Sequence, residues 1–505
     1  MDYRQFKSGS DIRGVAIGDP QDPLYLSDEM VMRTACAFAD WLAARSSRRP
    51  LRVSVGHDSR LSAGRIKRAV LSALSGKGVD AVDLGLCSTP AMFLSTLEAE
   101  LDGAIQITAS HHPKDRNGLK FFTPRGGLEG SDIAALLEAA AALPAPKAGD
   151  PDACVTGDFI ERYAAILRDQ IIEGVNAADR AHPLAGLRIV VDAGNGVGGF
   201  YASQVLRPLG ADVSGSLYLE PDGNFPHHAP NPENAEAMHC VSAATAAADA
   251  DFGVIFDTDV DRAALVGKGG FEINRNRLVA LAAAVALRDC PGGVIVTDSV
   301  TSDGLAAFIA AKGGRHLRFR RGYRNVINKQ IELCEAGIPC PLAMETSGHA
   351  AFADNYHLDD GAYLITRLII EAASLAKQGK TLESLIDGLA EPVEETELRF
   401  RITEADFRPV GEAVIRHLTA AAQTHPGWTA AADNYEGIRI NSAAGKGWFL
   451  LRMSVHDPIL VLNAESDAPG GIQTILREVA AALEGCSAMA QVDAASLAAA
   501  LTKEA

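Results

Sequence analysis

Asp257, Asp259 and Asp261 alternate in the string DFGVIFDTDVDRAALV, directly after an apolar run that reads as a strand. Three carboxylates at that spacing converge on one point. Like charges so close are unfavourable unless a hard cation offsets them, and oxygen-only ligation favours Mg²⁺ or Mn²⁺. A solvated acidic turn has the same letters, but here the apolar strand directs the triplet to the ligand edge of a sheet. Arg262 follows at once and suits a phosphate oxygen. A second string, DGAIQITASHHPKDRNGLKFF (102–122), runs a buried strand into Ser110. Asn117-Gly118 is expected to turn the chain so that Lys120 comes back towards the serine. A serine so placed can act as nucleophile or phosphate carrier, with Lys120 moving its proton. A turn whose Ser and His satisfy backbone groups accounts for the same string.

Two further strand-to-loop strings carry polar groups. In LAMETSGHAAF (342–352), Glu345 and Ser347 can bind adjacent sugar hydroxyls, since a carboxylate accepts two hydrogen bonds, and His349 follows. In GWFLLRMSVHDPILVLNAES (447–466), Arg452 and Ser454 sit between two strands and suit a phosphate. Taken singly, an exposed polar turn explains the first and a surface salt bridge the second.

The elements that must hold these residues repeat. Residues 51–74, 187–209 and 293–314 each carry an apolar, β-branched run ending in an aspartate (Asp58, Asp192, Asp298). A small-residue loop, an amphipathic helix and a second strand follow, which is the βαβ pattern of mainly parallel sheets. The expected fold class is therefore α/β, with three similar mixed domains at 1–150, 155–270 and 271–392; LPAPKAGDPDA (143–153) reads as a linker. From 393 to 505, short alternating strands and the helix IQTILREVAAAL predict a smaller α+β domain with an antiparallel sheet.

Composition excludes several function classes. The 505 residues exceed what one hydrophobic core serves, and Lys+Arg 47 against Asp+Glu 64 leaves a formal net charge of -17. Such a surface repels phosphate backbones and anionic lipid, so neither nucleic acid nor membrane is an expected partner. The start, MDYRQFKSGSDIRG, has no apolar h-region, so no secretory signal is expected. The longest apolar run, 278–287, is too short to span a bilayer and reads as a buried helix. Eight scattered cysteines without a C-x-x-C fit a reduced cytoplasmic protein lacking a zinc site or disulfide framework.

Together, in this order along nearly the whole chain, the strings resemble the α-D-phosphohexomutase superfamily, in particular its bacterial phosphomannomutase/phosphoglucomutase group. SDIRG (10–14) is similar to the N-terminal signature, TASHHP (108–113) to the phosphoserine loop, and DTDVDR (257–262) to the metal loop. ETSGH (345–349) resembles the sugar loop, RMSVHDP (452–458) the phosphate-binding loop and RRGYRNV (320–326) the third-domain loop. The resemblance implies four domains around a central cleft and interconversion of hexose 1- and 6-phosphates through a 1,6-bisphosphate. It makes Ser110 the phosphorylated serine, Asp257, Asp259 and Asp261 (with the serine phosphate) the Mg²⁺ ligands, and Lys120, Arg13 and His349 the acid/base and orienting groups. Glu345 and Ser347 would hold sugar hydroxyls; Arg262, Arg320, Arg452, Ser454 and His456 would serve substrate binding, with hexose 1,6-bisphosphate as activator.

Two positions depart from the pattern. Val455-His456 stands where relatives carry Gly or Asn followed by Thr, which leaves His456 as a possible phosphate contact, and Thr346 separates Glu345 from Ser347. Glucose, mannose and glucosamine phosphates all remain open as substrates, as do monomer and dimer. A rival from another class is a haloacid-dehalogenase-type phosphatase, with Asp257 as nucleophile and LDDGAY (358–363) supplying a late Asp pair; it leaves Ser110 and the sugar and phosphate loops unused. A non-catalytic sugar-phosphate binder is the third reading, resting on Val455-His456 alone.

Overall fold

The structure is a computed structural model that describes residues 2–454 and 457–502, so Val455 and His456 lie outside the described residues. The chain forms two compact units, residues 1–285 with 347–385, and residues 286–346 with 386–505.

In the first unit, strand Arg52–His57 buries Val53, Ser54, Val55 and Gly56, as a parallel strand covered on both faces must. It pairs in parallel with Asp80–Leu86 and Gly103–Ile107. Helix Ala63–Gly76 crosses between the first two strands and buries Ile66, Val70, Leu71 and Leu74. Strands Arg116–Thr123 and Asp11–Val15 extend the sheet antiparallel. The expected Asn117-Gly118 turn is displaced: the chain reverses before Arg116, and both residues already belong to the strand. Glycine is needed at 118 for another reason. A Cβ there would lie 2.2 Å from the carbonyl oxygen of Ile12 on the neighbouring strand.

The unit's second sheet sets Ile189–Asp192 parallel to Phe252–Phe256, which turns back antiparallel into Ala263–Val266. Here the repeated pattern is only partly realised. Instead of a regular helix the chain winds a π-helix over Tyr201–Leu206 and a 3₁₀ turn over Arg207–Leu209. The expected second strand is reduced to isolated bridges at Asp212 and Leu217. Pro208 brings no N–H to a helical ladder, and Gly199 runs so close to Leu219 that a Cβ would meet its carbonyl oxygen at 2.0 Å. A hairpin of Ala350–Phe352 and Leu358–Asp359 leads into helix Gly361–Ala376, capped by Asp360, which accepts from the Tyr363 N–H.

In the second unit, strand Val294–Asp298 lies between parallel strands Arg315–Phe319 and Leu342–Met344. Helices Asp303–Ala311 and Tyr323–Glu335 make the connections. An antiparallel sheet follows in the order 428–430, 438–442, 447–453, 459–466, 394–402, 492–493. Helices Phe407–Ala422 and Gly471–Leu483 bury Val414, Leu418, Ile475 and Val479 in a core with Phe400, Ile440 and Phe449. Mixed α/β sheets followed by an α+β sheet are the expected fold class. Among the described residues no helix is long and apolar enough to cross a membrane, and all eight cysteines are free.

The three strand-end aspartates share one use. Each is fully buried and binds a group from another loop. Asp58 accepts from the Thr108 hydroxyl at 2.7 Å, Asp192 Oδ2 meets His228 Nε2 at 3.0 Å, and Asp298 accepts from the Thr346 hydroxyl at 2.9 Å. A carboxylate carried by a rigid strand and matched by donors thus fixes the next polar loop.

Candidate active site

The serine loop is built from its backbone outward. After strand Gly103–Ile107, the Thr108 hydroxyl accepts from the Ser110 N–H at 2.8 Å while donating to Asp58. Ser110 is held at φ 51, the left-handed region that non-glycine residues seldom adopt. The buried guanidinium of Arg60 pairs with Asp58 (Nε–Oδ2 3.2 Å). It donates to the carbonyl oxygens of Ser110 (2.5 Å), His112 (2.5 Å), Pro113 (2.6 Å) and Arg116 (2.9 Å). The loop's carbonyls therefore turn inward onto one cation, and the serine hydroxyl faces the other way.

That hydroxyl meets the aspartate triplet. Ser110 Oγ donates to Asp257 Oδ2 at 3.0 Å and lies 3.4 Å from Arg262 Nη2 and 3.2 Å from His111 Nδ1. The triplet's loop is closed by the Arg262 N–H on Asp257 Oδ1 (3.2 Å), and Val260 stands at φ 67, costly for a β-branched residue. All three aspartates are buried, and each offers a carboxylate oxygen within 4.8 Å of the others. Lys120 Nζ bridges Asp259 Oδ2 (3.1 Å) and Asp261 Oδ2 (2.5 Å), and Arg262 Nε faces Asp257 Oδ2 at 3.3 Å.

Lys120 and Arg262 pair with the three carboxylates, and the electrostatics show in the protonation of the group. Burial, then the charges of Asp261 and Asp259, push Asp257 well above the usual carboxylate range. Burial also opposes ionisation of Asp261, but the charge of Lys120 overcomes it and holds that carboxyl low. Asp259 Oδ1 and Asp261 Oδ1 are buried without a hydrogen-bond partner among the described residues. Excess buried negative charge and two open carboxylate oxygens are the donor set of a hard divalent cation. This is an acidic metal-binding site.

His349 lies in the same unit, its Nδ1 2.5 Å from Asp359 Oδ2. Burial disfavours its charged form, but Asp359, by charge and hydrogen bond, raises it to about 9. Arg13, on strand Asp11–Val15, pairs with Asp11 at 3.0 Å. The structure therefore assembles Ser110, Lys120, Asp257, Asp259, Asp261, Arg262, Arg13 and His349 in one unit. Ser347 is buried in that unit too.

The remaining expected residues belong to the second unit. Glu345 is buried and accepts from the Gly322 N–H at 2.6 Å, a contact that needs the φ of 113 which only glycine adopts easily. Buried Arg452 has its Nε without a partner among the described residues; burial, then the nearby charge of Arg321, lowers its pKa. The Ser454 hydroxyl accepts from the Asp457 N–H at 3.2 Å. Arg320 stands apart: it is exposed, its guanidinium 5.3 Å from the Phe319 ring. Its neighbour Arg321 is the residue turned to this group, with Nε 3.9 Å from Asp298 Oδ2 and its N–H on Glu436 at 3.2 Å. His456 lies outside the described residues.

Sequence reasoning missed Arg60, Thr89, Arg321 and Asp359 as parts of these groups. Of the late Asp pair of the phosphatase reading, Asp359 is engaged by His349 and Asp360 by the Tyr163 hydroxyl at 2.5 Å.

Comparison with known proteins finds relatives over most of the chain. Residues 4–143, 167–270 and 274–393 match the models of phosphoglucomutase/phosphomannomutase α/β/α domains I, II and III. A phosphomannomutase/phosphoglucomutase of Pseudomonas aeruginosa is 32% identical over 425 residues, covering 84% of this chain and 85% of its own. A phosphoglucomutase/phosphomannomutase of Thermococcus kodakarensis is 31% identical over 458 residues, covering 90% and 93%. A phosphoglucomutase/phosphomannomutase family protein of Burkholderia thailandensis has a crystal structure that superposes with a TM-score of 0.77 at 28% identity, over 96% of this chain and 98% of that one.

Proposed function

Because this chain belongs to the phosphoglucomutase/phosphomannomutase family of the α-D-phosphohexomutase superfamily, it is a phosphohexomutase, and we propose that Ser110 carries its phosphoryl group between hexose 1-phosphate and hexose 6-phosphate. The observation that supports Ser110 in this role is its hydroxyl, 3.0 Å from Asp257 in the carboxylate triplet and 3.4 Å from Arg262 Nη2. In the first half-reaction the P–O bond to Ser110 breaks as one to a sugar hydroxyl forms, the hydroxyl's proton leaving to a base while Ser110 Oγ takes one up. In the second, the P–O bond at the sugar's other position breaks as one to Ser110 Oγ forms, the serine's proton leaving to a base while the sugar oxygen takes one up. Phosphoryl transfer needs in-line placement and charge neutralisation more than covalent help. Arg262 and Lys120 supply part of that charge, and Lys120 moves the serine's proton.

Mg²⁺ held by Asp257, Asp259 and Asp261 would neutralise charge on the transferring phosphoryl group. His349, kept charged by Asp359, and Arg13 orient the sugar phosphate. Glu345 and Ser347 take the sugar hydroxyls; Arg452 and Ser454, with Arg321 beside them, take the phosphate that is not transferred. Segments 1–150, 155–270, 271–392 and 393–505 are the domains that contribute these loops. A hexose 1,6-bisphosphate primes Ser110, and the free thiols fit a cytoplasmic enzyme acting on small phosphosugars.

A coupled assay with glucose, mannose and glucosamine 1-phosphates, each with its bisphosphate, measures the activity and ranks the sugars. Intact-mass and peptide analysis should find an acid-stable phosphate on Ser110. Ser110→Ala should abolish turnover and leave substrate binding measurable; turnover that survives the substitution would defeat the assignment.

A further inference from the structure

Thr89 opens helix Thr89–Glu98, whose start is fixed by Ser88 as cap and by Pro90 in its first turn. It is buried and lies 170 residues from the aspartate it touches. Its hydroxyl donates to Asp259 Oδ2 at 2.5 Å, and its N–H donates to the Asp259 carbonyl oxygen at 2.9 Å. One residue thus grips both the side chain and the backbone of the middle aspartate. Lys120 occupies the same oxygen of Asp259 and the matching Oδ2 of Asp261. All these donors sit on the Oδ2 edges, while Oδ1 of both aspartates has no partner among the described residues.

We infer that Thr89 is a positioning residue for the cation: by taking Oδ2, its hydroxyl presents Oδ1 of Asp259 to the metal. The inference rests on reading the triplet as the cation site. Groups that orient a ligating carboxylate change metal affinity by about 10–100-fold when removed. Threonine suits the task because its branched Cβ restricts χ1, so the hydroxyl arrives already aimed.

Thr89→Val deletes the hydroxyl and keeps the shape and the N–H; Thr89→Ser keeps the hydroxyl. Mn²⁺ binding is followed by electron paramagnetic resonance and Mg²⁺ binding by calorimetry, on full-length protein. Circular dichroism in chelator checks that both variants fold. We expect the Val variant to bind Mn²⁺ at least about tenfold more weakly than wild type. The Ser variant should stay within about threefold, because it retains the oriented donor. Saturating Mg²⁺ should restore most of the kcat of the Val variant. Equal Mn²⁺ affinity in wild type and Val variant, or equal losses in the Val and Ser variants, would overturn the role of the hydroxyl. Absence of binding by wild type would instead overturn the cation site, and the inference with it.

Discussion

Arg60 donates to the carbonyl oxygen of Ser110 at 2.5 Å while its Nε faces Asp58 Oδ2 at 3.2 Å. The serine proposed as phosphoryl carrier is therefore fixed through its backbone by a buried ion pair. Phe225 lies 5.5 Å from the same guanidinium, so a residue beyond the first sheet also abuts the clamp. Arg60→Met leaves Asp58 buried and unpaired, which should cost about 3–5 kcal/mol of stability. Arg60→Lys keeps the charge, but one ammonium cannot span four carbonyls, and unsatisfied buried oxygens cost about 1–3 kcal/mol. Urea denaturation should rank wild type above Lys above Met. The Lys variant should lose more than about tenfold in kcat, because a misplaced nucleophile forfeits alignment, with unchanged Mn²⁺ affinity. A Lys variant with full kcat would show that the loop holds Ser110 without the clamp.

Asp259→Asn removes one carboxylate charge from a triplet paired with Lys120 and Arg262. The amide oxygen still accepts from Thr89, so local geometry should survive while cation affinity falls. Wild-type protein should gain about 2.7 kcal/mol of stability at a Mg²⁺ concentration of 100 Kd. The Asn variant should gain little at the same concentration, and its stability in chelator should stay close to wild type. Thermal melts with and without Mg²⁺ read both effects. An equal Mg²⁺-induced rise in the two proteins would exclude Asp259 as a ligand.

What the sequence made legible were side chains whose partners lie nearby in the chain or whose types are rare together. Asp257, Asp259 and Asp261 fall within five residues directly after one buried strand, so a single tight loop brings them together. Ser110 lies in the loop between two paired strands and Lys120 on the second of them, opposite Gln106, so one hairpin joins them. Thr89 and Arg60 carried no such signal. Their partners are 170 and about 50 residues away, and only the packing of helix on sheet and loop on loop unites them. Arg320 and Arg321 are adjacent and chemically alike. Which one turns inward depends on where the strand Arg315–Phe319 ends, a boundary that propensity leaves uncertain by a residue or more.

Glu345→Gln preserves an oxygen to accept from the Gly322 N–H, bound at 2.6 Å in the native protein, so the loop should keep its path. The variant turns an acceptor-only group into one that also donates. Sugar hydroxyls held by the carboxylate should lose about 1–3 kcal/mol of transition-state binding, read as kcat/KM. The loss should appear in both reaction directions, since the same hydroxyls are held in either orientation. Unchanged kcat/KM in both directions would mean that Glu345 serves only the Gly322 loop.

Glu465 is buried on strand Ile459–Ser466 and accepts from the Trp448 indole N–H at 2.9 Å, with Arg439 stacked 3.5 Å from the Trp448 ring. Burial pushes its carboxyl up to about 7, although the Trp448 bond and the Arg439 charge pull the other way. An acid whose pKa is raised by folding binds its proton more tightly in the native state than in the unfolded chain. Its contribution to stability is therefore complete below the unfolded value near about 4.3, declines as pH rises towards 7, and is constant above. The separation of the two values corresponds to roughly 3 kcal/mol. Glu465→Gln retains an oxygen for the indole and cannot ionise, so it should lack this decline. The stability of wild type minus that of the Gln variant, from urea denaturation, should fall between pH 5 and 8 by an amount of this order. A difference that stays constant across that range would show that Glu465 ionises in the folded protein as readily as in the unfolded chain.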